Sequence, residues 1–252
     1  MPGSALVLLA SASAVRVASL NLCTDEYLLL LARPKQIVSV SYLAQDPHES
    51  PLWRQARAYL ANRGSIEDVL TARPTFVLTM GNGGRATAML AKRLHLQVMD
   101  VPNATDISGV ARNLASIALA LGEPAKARAW IDRLNSLRAS APKQATDTIW
   151  ISGGGWSLGA QSMGAKWLRL AGFQQRALQG GRATLETLLI APPRVLIRSN
   201  YRSGQMSGGE LWLNNPIVRH SGARQLTTDG RPWTCVGPLM IPEIERLRKA
   251  RG

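Results

Sequence analysis

The chain has 252 residues, 46% of them hydrophobic, enough to bury one large core or two smaller ones flanking a cleft. Its 30 Lys and Arg outnumber 16 Asp and Glu, and the resulting formal charge of +14 brings nucleic acid, an anionic membrane surface and acidic ligands forward as partners. The basic residues are scattered, as at Arg33, Arg85, Arg112, Arg169 and Arg246, and form neither a long run nor a basic heptad. That pattern reads as a solvated surface and counts against a nucleic-acid-binding protein, which needs a contiguous basic face.

Residues 5–10, ALVLLA, followed by Ala12-Ser13-Ala14, have the form of a short apolar segment and a small-residue cleavage site, so residues 1–14 are expected to be a secretory signal peptide. Met1-Pro2-Gly3-Ser4 lacks the usual Lys or Arg, and a first buried strand or a frayed terminus is the alternative. No later stretch of about 18 apolar residues is available to cross a membrane. Cys23 and Cys235 lie at opposite ends of the chain and fit no C-x-x-C motif; after export they either form a disulfide or remain buried thiols. Cys23 follows Asn21-Leu22, which is no lipobox, so the expected location is the periplasm, without a lipid anchor.

In chain order, short β-branched or apolar runs predict strands over 16–20, 37–41, 76–79, 97–100, 148–152 and 195–198, with helices between them, among them 25–32 and 65–72. This alternation predicts an α/β fold with largely parallel sheets. Residues 65–78, SIEDVLTARPTFVL, align without a gap to residues 184–197, TLETLLIAPPRVLI. Both copies read hydroxyl cap, Glu, apolar helix turn, Ala-x-Pro, apolar strand. An αβ unit occurring twice predicts two lobes of similar build. Between the copies, residues 106–141 are rich in Ala, Leu and Arg and are broken by Gly122-Glu123-Pro124. A helix over 124–140 would be about 25 Å long at about 1.5 Å per residue. Spacing alone leaves open whether it connects the lobes rigidly or packs on one sheet.

Several chemical motifs fail on detail. The run Gly153-Gly154-Gly155 and the stretch Gly159 to Lys166 approach a phosphate loop, but Gly164-Ala165-Lys166 displaces the lysine and no hydroxyl follows it. His48, His95 and His220 are far apart, so no metal site is expected. No nucleophile elbow or Cys–His arrangement is present, and neither a catalytic residue nor a cofactor is expected. A nucleotide-dependent α/β enzyme remains as an alternative reading, beside the basic nucleic-acid binder.

Four segments together resemble a known family: Val17-Ala18-Ser19-Leu20-Asn21-Leu22-Cys23-Thr24-Asp25-Glu26, the strand Ile37-Val38-Ser39-Val40-Ser41-Tyr42, the start Gly64-Ser65-Ile66-Glu67-Asp68-Val69-Leu70, and Trp167-Leu168-Arg169-Leu170-Ala171-Gly172. In this order they are similar to the class III periplasmic binding proteins, which serve ABC importers of ferric siderophores and vitamin B12. The resemblance implies two Rossmann-like lobes joined by a single long helix: an N-terminal lobe over 15–122, the helix over 123–141 and a C-terminal lobe over 142–252. It implies a monomer that holds a small-molecule metal chelate, a ferric siderophore or cobalamin, between the lobes. It further implies that Glu67 and Glu186 dock onto a permease dimer in the inner membrane. Without the resemblance, a glutamate in a first helical turn merely complements the helix dipole, by about 0.3–1 kcal/mol.

Ligands of α/β sheets sit beyond the carboxyl ends of strands, which directs attention to the loops beginning at Tyr42, Asn82, Trp156 and Asn200. Only 5% of the chain is aromatic, yet these loops and their surroundings hold Tyr42, Trp156, Tyr201 and Trp212, with Arg85, Arg198 and Arg202 nearby and Trp233 in the last loop. A flat chelate would stack on the rings and an anionic one would meet the guanidinium groups, so these eight residues are the expected ligand contacts. Trp53, Trp130, Trp150 and Trp167 are assigned to packing.

Overall fold

The computed structural model describes residues 15–81, 85–202 and 204–251, and the side chains of 85–88 lie outside that description. The predicted signal segment 1–14 also lies outside the described residues. The chain enters through β1 (Val17–Ser19), whose three residues are fully buried, and turns at Asn21 into α1 (Leu22–Leu31). The Asn21 side chain caps α1 by accepting from the N–H groups of Cys23 at 3.1 Å and Thr24 at 3.0 Å. There follow β2 (Ile37–Ser41), α2 (Trp53–Ala56), β3 (Leu60–Asn62), α3 (Ile66–Val69), β4 (Phe76–Met80), α4 (Arg85–Arg93) and β5 (Gln97–Val101). These strands form a parallel sheet in the order β3-β2-β1-β4-β5.

Two helices, α5 (Ile107–Leu121) and α6 (Pro124–Ala139), lead to the second lobe. Gly122, at φ 71°, ends α5 in the left-handed conformation, and Pro124 starts α6 where its missing N–H costs nothing. The second lobe contains β6 (Thr146–Ile151), α7 (Met163–Leu170), β7 (Phe173–Gln175), α8 (Leu185–Ile190), β8 (Val195–Ser199), α9 (Gly208–Leu213), α10 (Pro216–Arg219) and β9 (Arg224–Thr228). The chain ends in α11 (Pro232–Cys235) and α12 (Met240–Arg251). The second sheet is parallel in the order β7-β6-β8-β9, the pattern of the first sheet without its edge strand β3.

The sequence repeat is thus the visible part of a larger structural one. Ser65 caps α3 by accepting from the Asp68 N–H at 3.2 Å, and Thr184 caps α8 by accepting from the Thr187 N–H at 3.0 Å. Each capped helix then delivers a strand beside the first strand of its lobe, β4 on β1 and β8 on β6. Strands β3, β7 and β9 were not anticipated. All three lie at sheet edges, and their sequences LAN, FQQ and RQLTT carry little of the buried apolar run that marks a central parallel strand.

Helix α6 touches both lobes. At its start, Lys126 donates to the Ala32 carbonyl at 2.7 Å; further along, Arg133 donates to both Glu245 oxygens, at 3.3 and 2.7 Å, on α12. It packs on α5, α1 and α12, so it connects the lobes and does not belong to one sheet. The two lobes also share a core, in which Tyr27, Leu28 and Leu31 of α1 belong to one buried cluster with Trp150, Trp167, Ile241 and Leu247. Cys23 and Cys235 form a disulfide, joining the start of α1 to the end of α11. Among the described residues no helix is long and apolar enough to cross a membrane, and no group of His, Cys, Asp and Glu gathers into a metal site.

The disulfide closes a loop spanning 212 residues, which strongly restricts the unfolded chain. Replacing both Cys23→Ser and Cys235→Ser is expected to lower unfolding stability by about 2–5 kcal/mol in urea titration. An unchanged midpoint would mean that the shared core alone fixes the lobes.

Candidate functional site

The carboxyl ends of both sheets meet. The loop after β2 touches the loops after β8 and β9, because Arg231 donates to the Pro47 carbonyl at 2.9 Å and Arg202 donates to Glu49. The crevice between the lobes is therefore bounded by the strand ends where α/β proteins place ligands.

Tyr42 stands at the end of β2 and is 54% exposed. Its backbone is anchored from below by Asp25, whose carboxylate accepts from the Ser41 N–H at 3.2 Å and from the Ser41 hydroxyl. Asp25 is fully buried, and burial pushes its carboxyl up from 3.8 to about 7 despite the hydrogen bonds from Ser41 that favour the charged form. Glu26 is buried beside Gly237 of the second lobe, and burial followed by repulsion from Asp25 raises its carboxyl well above the usual range. One Glu26 oxygen has no hydrogen-bond partner among the described residues. A neutral acid fits that apolar position between the lobes.

Trp156 lies in the loop after β6 and is 57% exposed. Its backbone is anchored: Ser152 N–H donates to the Trp156 carbonyl at 2.8 Å, and Trp156 pairs with Arg182 in an antiparallel bridge. The three glycines before it make a tight turn rather than a phosphate cradle. Gly155 sits at φ 80°, and a Cβ there would meet the Ala183 carbonyl oxygen at 2.4 Å and the Trp212 ring at 2.8 Å. The Arg182 guanidinium lies 4.9 Å from the Trp156 ring centroid and also donates to the Gly154 carbonyl at 2.5 Å. Arg182 was missed at the sequence level, where nothing marks it apart from its position just before the Thr184 cap.

The other expected contacts divide. Trp233 is 7% exposed, packs on Trp150 with ring centroids 5.2 Å apart and donates its indole N–H to Thr228 at 2.8 Å; it is a core residue, which corrects its assignment to the crevice. Arg198 donates to the Leu213 carbonyl at 2.8 Å at the end of α9, and burial lowers its pKa, so it supports α9 and does not project as a free cation. Trp212 is half-buried, wedged over Gly155. Tyr201 and Arg202 are both engaged with Glu49 of the first lobe, at 2.5 and 2.9 Å. The Arg85 side chain and Asn82 lie outside the described residues. Beside α9, an open depression of about 520 Å³ is lined by Gly204, Met206, Ser207, Leu211 and Asn214, a volume within the usual range for small-molecule sites. Met206 and Leu211 there are exposed apolar side chains.

Glu67 and Glu186 occupy equivalent first-turn positions of α3 and α8, and both are exposed. Neither belongs to an ion pair among the described residues.

Comparison with known proteins gives this arrangement a family. The model for "Periplasmic binding protein" matches residues 17–223, and the chain belongs to that family, whose members are solute-binding proteins. The fold is similar to that of the periplasmic heme-binding protein HutB of Vibrio cholerae, with TM-score 0.73, 17% identity, and 95% of this chain and 99% of that chain covered. It is also similar to the periplasmic heme-binding protein BhuT in complex with two hemes, with TM-score 0.69, 18% identity and coverage of 94% and 99%. The periplasmic vitamin B12 binding protein BtuF of Vibrio cholerae matches with TM-score 0.63, 18% identity and coverage of 93% and 95%. No curated protein matches the sequence.

Asp25 gives the site a measurable pH dependence. Because its folded-state pKa is raised to about 7 from 3.8, the folded protein binds this proton more tightly than the unfolded chain. The stability it contributes is complete below the unfolded value and is lost as pH rises through the folded one. Asp25→Asn is expected to flatten the decline in urea midpoint between pH 3.8 and about 7, leaving the part due to Glu26. A variant whose midpoint declines as steeply as the wild type would show that Asp25 is ionised in the fold.

Proposed function

We propose that this protein captures a metal chelate in the crevice between its lobes, in the periplasm, and delivers it to an ABC importer. The observation that carries the reading is the meeting of the two sheets' carboxyl ends, with one exposed aromatic residue from each lobe there, Tyr42 after β2 and Trp156 in the loop after β6. Exposed aromatic side chains on anchored backbone suit a large flat ligand such as a corrin, a porphyrin or an aromatic siderophore. The Arg182 guanidinium stacked on Trp156 adds a cation for ligand carboxylates. The similarity in fold to heme- and vitamin B12-binding proteins supports the ligand class, from ferric siderophore to cobalamin and heme.

Titration of the purified protein with ferric siderophores, hemin and cobalamins, followed by tryptophan fluorescence, tests the ligand class. Saturable quenching by at least one of them is expected, with Trp156→Ala weakening that affinity at least tenfold, about 1.4 kcal/mol. Absence of quenching by every chelate counts against the proposal.

Delivery rests on Glu67 and Glu186, exposed at matching positions of the two lobes. Reversing both, Glu67→Lys with Glu186→Lys, is expected to abolish stimulation of ATP hydrolysis by the reconstituted importer while leaving ligand affinity unchanged. Full stimulation by the double variant would assign the two glutamates to their helix dipoles alone.

A further inference from the structure

We propose that Glu49 is a latch: a buried carboxylate of the first lobe, clasped by the second, that holds the crevice shut on one side before any ligand arrives. Glu49 lies in the loop after β2 and is only 5% exposed. Its Oε2 accepts from the Tyr201 hydroxyl at 2.5 Å, and its Oε1 accepts from Arg202 Nε at 2.9 Å and from a second Arg202 nitrogen. All these donors come from the loop after β8. A buried carboxylate separated from its partners is strongly disfavoured until water reaches it, so the clasp resists parting of the lobes.

The second lobe is built to present this clasp. Arg202 sits at φ 54°, an uncommon conformation for a non-glycine residue that persists only where surrounding contacts enforce it. Gly230, in the loop after β9, packs so closely under Tyr201 that a Cβ would come within 2.3 Å of the Tyr201 Cβ. The Gly230 N–H donates to the Asn200 side chain at 3.1 Å. Next to it, Asp229 holds Arg231 at 2.6 Å, and Arg231 in turn donates to the Pro47 carbonyl at 2.9 Å and to the Ser50 carbonyl at 3.4 Å, on either side of Glu49.

The open depression beside the clasp measures about 240 Å³ and is lined by Pro47, His48, Asn200, Arg202, Asp229 and Arg231. That is below the roughly 300–1,000 Å³ of ordinary small-molecule sites. Tyr201 and Arg202 are therefore assigned to lobe closure rather than to ligand contact. The disulfide fixes the lobes at the start of α1, and the latch fixes them at the loop after β2.

Pulsed electron paramagnetic resonance of the ligand-free protein tests the latch independently of any ligand. Spin labels attached through ketone-bearing residues at the exposed positions Lys92 and Arg219 leave the disulfide intact. The wild type is expected to give one narrow distance distribution, and Glu49→Ala and Arg202→Ala a broader and longer one. The charge swap Glu49→Arg with Arg202→Glu is expected to narrow it again, an outcome that loss of packing alone does not produce. Distributions for both alanine variants superimposable on the wild type, with circular dichroism unchanged, would overturn the proposal. If Glu49→Ala does not fold, Arg202→Ala decides it, because removing a half-exposed surface side chain leaves the core intact.

Discussion

Helix α1 has almost no face turned to solvent. Leu22, Thr24, Asp25, Glu26, Tyr27, Leu28, Leu29 and Leu31 are all buried, so it lacks the polar stripe of an ordinary surface helix. Burial on every side is what allows one helix to serve two lobes. Its apolar residues enter a core shared with the second lobe, Cys23 is bonded to Cys235, and Glu26 lies against Gly237. The cost of this position is that two adjacent carboxyls are taken out of water. Asp25 is compensated by three contacts from Ser41, whereas Glu26 has one oxygen without a partner among the described residues. Gly237 tolerates that oxygen because any Cβ there would lie 3.1 Å from it.

This constraint decides what kind of motion the crevice permits. Two lobes tied only by a flexible linker would separate freely, as is usual across small polar interfaces. Here a connector helix held by Ala32 on one side and Glu245 on the other, a common core and a disulfide leave little room for a wide hinge. A preformed crevice follows, and a preformed crevice avoids part of the ordering cost that binding otherwise carries. The aromatic side chains suit such a site, since the backbone of Trp156 is fixed by its bridge to Arg182 and that of Tyr42 by the grip of Asp25 on Ser41.

What the sequence made legible were the features written in local pattern. The central strands over 37–41 and 195–198 read directly from their apolar runs, and the capped helices α3 and α8 from Ser65, Thr184 and the proline stops. The edge strands β3 and β7 are three residues each, too short for any periodicity to register. The site was legible only where exposure follows from position, as for Tyr42 directly after β2 and Trp156 in the short loop after β6. Trp233 sits in a comparable loop, but the chain turns back there through α11 and buries the ring on Trp150. Nothing local distinguishes the two outcomes. Glu49 and Arg182 carry their roles through partners more than 100 and about 28 residues away in sequence, respectively, separations at which a pattern of neighbours carries no information.

The strong positive charge also takes on a different meaning once the acidic residues are placed. With 30 basic and 16 acidic side chains, the partly buried carboxylates of Glu123, Asp147, Asp229 and Glu245 have found basic partners, whereas the exposed Asp68 and Asp132 are in no ion pair among the described residues. Glu67 and Glu186, which also stand on the surface, are likewise in none, and of these exposed carboxylates they alone recur at matching helix starts of the two lobes. The side-chain caps are other residues, because Ser65 and Thr184 each accept one free N–H of their helix. Beside Glu186, Leu189 and Ile190 are 60% and 76% exposed, and Leu70, the counterpart of Leu189, is 38% exposed. An isolated carboxylate next to exposed apolar side chains, repeated once in each lobe, has the composition of a protein contact surface rather than of a solvated helix end. On the proposed reading, the repeat therefore carries function as well as fold: the same αβ unit that builds each sheet also presents each lobe's half of the docking face.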